Sequence, residues 1–164
     1  MDILQWLTET TAGDFVMTML VSMVPIIELR GGIPYGVAAD LPVWLAYIAA
    51  FIGNLIPVPF ILVYIRQVFK WIRRHMPGLN RFIDKLEKKA HLKGSTMQKY
   101  QYLGLAIFIA IPLPGTGAWT GALAAAFLDM RLKKAFPAAV LGVAVAGLLI
   151  SVITFGVTSL FGGA

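Results

Sequence analysis

The chain has 164 residues, of which 59% are hydrophobic and only 13% charged, with a formal net charge of +6. A water-soluble globule needs far more polar surface than this, so the composition excludes one and points to a lipid environment. With no cysteine there can be no disulfide, thiolate metal site or thiol nucleophile. The N-terminus carries Asp2 and Glu9 without a basic region, so no cleaved signal peptide is expected and Met1 should begin the mature chain.

In chain order, Ile3, Leu4, Trp6 and Leu7 make a short apolar face ahead of the first apolar stretch, Phe15 to Ile27. The region 14–40 is broken by Pro25, Gly31, Gly32 and Pro34. It is read either as a kinked span or as a re-entrant helical hairpin, and so many breakers in a short distance favour the reversal. Val43 to Ile65 is free of charge and exceeds the roughly 20 residues that a bilayer core requires. It follows Pro42 and carries Trp44 and Tyr47 at one end and Tyr64, Arg66 and Trp71 at the other, so a transmembrane helix is expected over 43–66.

Ten of the fourteen Lys and Arg fall between Arg66 and Lys99, against the acids Asp84 and Glu87. Within this stretch Leu79, Phe82, Ile83, Leu86 and Ala90 form one helical face and five basic residues the other. An interfacial helix over 80–93 that binds anionic lipid headgroups is the expectation, with no nucleic-acid partner. His75 and His91 have neither the spacing nor the carboxylate company of a metal site, and no metal or cofactor is expected.

The next apolar stretch, 100–128, is interrupted by Pro112-Leu113-Pro114-Gly115-Thr116-Gly117 and is read as a second re-entrant hairpin. Pro137 to Leu160, after the Arg131, Lys133 and Lys134 cluster, is the second expected span, its Gly and Ala content suited to close helix packing. Charge placement supports the hairpins. The positive-inside rule puts 66–99 and 129–134 in the cytoplasm, which fails if 100–128 crosses fully once. Both termini then lie outside a plasma membrane. The order of amphipathic element, broken hairpin and proline-initiated span recurs in 1–66 and, with 80–93 supplying the amphipathic element, in 100–164, with Gly32-Ile33-Pro34-Tyr35-Gly36 lying over Gly117-Ala118-Trp119-Thr120-Gly121. The fold expected is therefore an all-α integral membrane protein of two inverted repeats. Two full crossings give one copy little wall around a pathway, so a homodimer is expected.

Glu28 and Arg30 are the main site candidates, because a charge at mid-bilayer depth costs about 2.5 to 3.5 kcal/mol on an insertion scale and needs compensation. Residues two apart on a continuous helix point away from each other, so a direct pair would require a bend at Gly31 and Gly32. A proton-titrating carboxylate beside an anion-binding guanidinium, and a structural pair stitching the hairpins, both remain open. The breaks at Gly31, Gly32 and Pro34 and at Pro112, Pro114, Gly115, Thr116 and Gly117 would expose backbone amides suited to an anion. Asn54, in the first span, needs polar partners and is either interhelical glue or a substrate contact. No P-loop, nucleophile elbow or nucleophile with an adjacent base is present, and no enzyme is expected.

Glu28-Leu29-Arg30-Gly31-Gly32-Ile33-Pro34-Tyr35-Gly36 and the segment from Pro112 to Ala124 resemble a family known as small multi-drug export proteins, over essentially the whole chain. More distantly, Ile111 to Phe136 resembles the Pro-Gly hairpin of the DedA superfamily. That resemblance implies facing re-entrant hairpins and a group that includes lipid-phosphate transporters and scramblases. Thr116 and Gly117 stand where an arginine is usual there, which leaves Arg30 of the other hairpin as the cation. Taken together, the expectation is a transporter for a small or amphipathic substrate with an anionic group, proton-coupled through Glu28. The alternatives are a lipid translocase or scramblase, and a scaffold that transports nothing.

Overall fold

Thr10 opens the first helix of the computed structural model, which describes residues 10–75, 100–113, 115–128 and 130–161. The expected interfacial elements at 1–9 and 80–93 lie outside these residues. Helix α1 (Thr11–Met23) begins where the Thr10 hydroxyl accepts from the Gly13 amide at 3.0 Å, an N-cap reinforced by Asp14 in the first turn. Its buried positions are Gly13, Thr18 and Ser22. Both hydroxyls donate to carbonyls one turn back, Asp14 and Thr18, at 2.7 Å, so neither needs a partner from another helix.

Helix α2 (Glu28–Ala38) follows after a turn at Val24 to Ile27. The turn thus falls at Pro25, and the chain does not bend at Gly31 and Gly32, where a direct Glu28–Arg30 pair would have required it. Both glycines and Pro34 lie within α2. A Cβ on Gly32 would run into the Ser22 hydroxyl, and one on Gly31 into the Ile27 side chain; these glycines permit close packing and make no turn. Asp40, at φ 62°, ends α2 in a left-handed cap in which the Leu41 amide donates to the Gly36 carbonyl at 2.9 Å and the Asp40 amide to Val37 at 3.1 Å.

Helix α3 (Val43–Leu55) starts after Pro42 and leads through Ile56 into α4 (Pro57–His75). Pro57 and Pro59 remove donors there and interrupt the ladder, so the first span is two helical pieces, and the helix continues past residue 66. Helix α5 (Gln101–Ala110) and α6 (Ala118–Phe127) flank the Pro112 to Gly117 break where it was expected. Helix α7 (Leu132–Phe161) begins before Pro137, which lies inside it. Lys134 near its start sits 5.5 Å from the centre of the Tyr102 ring, a cation–π contact between α7 and α5.

All described elements are helical. Two stretches, Val43–Ile65 (α3 with the start of α4) and Leu132–Ser159 of α7, are long and apolar enough to cross a membrane. Leu141, Leu148, Val152 and Phe155 of α7 are all more than half exposed, an apolar face that suits lipid and not water. Trp44 and Tyr64, near the two ends of the first apolar span, are likewise exposed, as interfacial aromatics would be.

Helices α1 and α2 pack on each other and on α3; α5 packs on α7, α6 on α4, and α3 meets α7. Small residues set these distances. On α3, Gly53 lies against the Met19 backbone of α1, and on α7, Gly142 lies against the Ala106 carbonyl of α5, where a Cβ would stand at 2.7 Å. The ends of α2 and α6 are also alike, since the Met130 amide donates to Ala125 as Leu41 does to Gly36. These matches pair Gly36 with Ala125, about one helical turn from the Gly36 to Gly121 register that the sequence suggests.

Gly53→Ala should therefore push α1 from α3 and lower stability by about 1 to 3 kcal/mol, as overpacking does. Gly104→Ala, at a helical site with nothing within 4 Å of a Cβ, should be neutral or stabilising by up to about 1 kcal/mol. Thermal midpoints of the two purified variants would check this, and equal midpoints would refute the packing account.

Candidate functional site

The α1–α2 turn delivers Glu28 to the start of α2 at φ 51°, a left-handed conformation that costs a non-glycine residue about 1 to 2 kcal/mol. The side chain is 4% exposed. Its carboxylate lies on the N-terminus of α6, where Oε1 accepts from the Trp119 amide at 3.1 Å. The first amides of a helix have no partner within it, and the helix dipole favours an anion at that end. Gly117 makes this approach possible. Its φ of 136° and ψ of −170° are open to glycine alone, and a Cβ there would stand 2.6 Å from the Glu28 carboxyl carbon.

Arg30 does the converse at the other end of the same break. Its guanidinium donates to the Leu113 carbonyl, to Thr116 Oγ1 at 2.7 Å and, at 3.5 Å, to the carbonyl of Ile111, the C-cap of α5. Cations are favoured at helix C-termini. Thr116 completes the network: Oγ1 also accepts from the Leu113 amide at 3.2 Å and has the Ile111 and Leu113 carbonyls at 2.7 and 2.8 Å as acceptors for its own proton. Two acceptances and one donation use the capacity of a hydroxyl.

Glu28 and Arg30 thus make no hydrogen-bonded ion pair with each other. Each is matched to a helix end of the opposite hairpin, the anion to the start of α6 and the cation to the end of α5. No bend between them is needed, because their different directions on α2 reach different ends of one loop. The two hairpins are further tied by the Trp119 indole, which donates to the Met23 carbonyl at the end of α1 at 3.2 Å.

Asn54 is buried to 1% exposure, and among the described residues neither its amide nitrogen nor its amide oxygen has a partner. Asn54 lines a tight pocket with Glu28, Arg30, Gly117, Ala118 and residues of α5 and α7. An unpaired buried amide costs about 1 to 3 kcal/mol, so such a group invites a ligand or a movement that pairs it.

Of the residues singled out in the sequence, Glu28, Arg30, Asn54 and Gly117 therefore converge, with Thr116 beside Arg30. Gly31, Gly32 and Pro34 lie along α2. Pro112 and the open Gly115, at φ 81°, belong to the loop that Arg30 grips, and Pro114 lies outside the described residues. The amides of Ala118 and Trp119 were missed. Their signal was their place directly after Gly117, where the breakers end and a helix must begin. Among the described residues, no group of three or more His, Asp or Glu could hold a metal.

Neither the curated proteins nor the solved structures compared with this chain include a match. Residues 28–149, from the site glutamate through most of α7, match the family described as "Putative small multi-drug export protein". With two apolar stretches long enough to cross a bilayer and this family match, the chain is a membrane protein and belongs to that family.

Proposed function

We propose that the chain is a secondary transporter for a small or amphipathic substrate with an anionic group, coupled to protons through Glu28. The observation that carries this is a carboxylate held at a helix N-terminus beside an unpaired, buried amide, at the junction of two broken helical segments. Helix breaks at membrane depth that aim amides at a polar group are the form binding sites take in transporters of inverted-repeat design. The family description, an export protein, supports transport over catalysis.

In this reading α1–α2 and α5–α6 are re-entrant hairpins that enter from opposite faces of a plasma membrane, and two copies complete the pathway wall. The like caps of α2 and α6 and the like glycine contacts of α3 and α7 support two repeats. Single cysteines at Thr11 and Asp40 should label from outside, and one at Lys133 only from inside. Labelling of Lys133 from outside would refute the re-entrant topology.

Function is tested in proteoliposomes with a pH jump. Flux of an anionic solute should follow the proton gradient, and Glu28→Gln should abolish that dependence. Flux of labelled lipid without any gradient would favour scrambling, and no flux of any lipid or solute would favour a scaffold.

A further inference from the structure

Glu28 occupies the place that a ligand would take. Oxyanions bind at helix N-termini through free amides and the helix dipole, and here the oxyanion is supplied by the protein itself, on a tether from α2. Two features indicate that it holds the place exchangeably. Arg30 is engaged with the loop of residues 111–116 and makes no ion pair with Glu28 among the described residues. Asn54, unpaired in both amide atoms and fully buried, lines the same pocket.

We propose that Glu28 is a tethered stand-in for a substrate carboxylate, that the two compete for the α6 N-terminal amides, and that the substrate, unlike Glu28, also pairs the Asn54 amide. The proposal rests on the transport reading and adds to it the substrate's headgroup and the sense of coupling. A carboxylate fits better than a phosphate, because the space made when Glu28 leaves is the size of the planar group that left, walled by the Gly117 backbone. Hydrogen bonds to a charged acceptor are roughly twice as strong as those to a neutral one. Protonating Glu28 therefore weakens its hold on the Trp119 amide and lets a substrate carboxylate displace it. Proton and substrate then occupy the site together, so they move in the same direction.

The other groups facing Glu28 do not complicate this. Arg30, on its own helix, is the charged neighbour. From α3, α5, α6 and α7 the facing residues are Asn54, Ile109, Ala118 and Ala146, with Gly117 from the loop, and none of these titrates.

Glu28→Gly removes the tethered carboxylate and suits the backbone, since glycine adopts φ 51° freely. In the purified full-length chain, formate or acetate should raise the thermal midpoint of this variant in a concentration-dependent way, against chloride at equal ionic strength. At alkaline pH its formate affinity should exceed the wild-type value by about tenfold or more, within the usual range of couplings between sites. Adding Asn54→Leu should remove the response. Inorganic phosphate is the size control. Stabilisation by phosphate and not by formate, or indifference of Glu28→Gly to formate, would overturn the proposal. Should that variant not fold, the wild type decides: formate should stabilise it at acid pH and not at alkaline pH, and equal responses would overturn the proposal. Formate binding without flux in proteoliposomes would sink the transport reading and leave the site standing. Flux without formate binding would do the reverse.

Discussion

Gly117→Ala is expected to be the most damaging single-methyl change in the chain. At φ 136° and ψ −170° any side chain is strained, which costs about 1 to 3 kcal/mol. The added Cβ also falls inside the contact distance of the Glu28 carboxylate, 2.7 Å from Oε1 and nearer still to Oε2. Relief requires either Glu28 to leave the α6 amides or α6 to shift, and overpacking of this kind adds about 1 to 3 kcal/mol. The sum is a large part of the roughly 5 to 15 kcal/mol that holds a typical domain together. Gly115→Ala is the informative control. It has positive φ as well, 81°, but nothing within 4 Å of its Cβ, so its cost is limited to the about 1 to 2 kcal/mol of a left-handed residue. Monodisperse yield and thermal midpoint of the two variants would show the difference; equal losses would mean that the Glu28 approach does not matter to the fold.

Arg30→Met is expected to loosen α2 from the α5–α6 loop with a loss of about 1 to 3 kcal/mol, because it strips the Leu113 carbonyl and Thr116 of a charged donor. Arg30→Lys should recover only part of this. One ammonium can replace the charge at the α5 C-terminus, but it cannot present the planar fork that spans Ile111, Leu113 and Thr116 together. Thr116→Val should fall between the two, since it removes the hydroxyl and leaves Arg30 with the carbonyls. Denaturant or thermal titration would rank them. A lysine variant as stable as the wild type would show that charge alone is required.

The break between α5 and α6 was legible because its breakers have one meaning. Pro112 follows the end of α5, and Gly115 and Gly117 both take positive φ that only glycine adopts easily. That the segment 14–40 is broken was legible but the position of the break was not, because Gly31 and Gly32 serve packing as readily as turning. A single sequence does not say whether Ser22 lies opposite a glycine. Pro34 and Pro137 likewise look like boundaries and lie inside helices, where surrounding contacts outweigh one lost hydrogen bond.

The sequence by itself determined that this protein lives in lipid, that two segments can cross it, and that Glu28 and Arg30 must be compensated, since each conclusion follows from the cost of placing polar groups in hydrocarbon. Only the tertiary structure decided how the compensation is made. Glu28 meets the start of α6, 91 positions away in the chain from its partner amide, and Arg30 meets the end of α5, 83 positions from Leu113. Helix dipoles and unpaired terminal amides are properties of a folded backbone, and no side-chain pattern announces which helix end will face which charge.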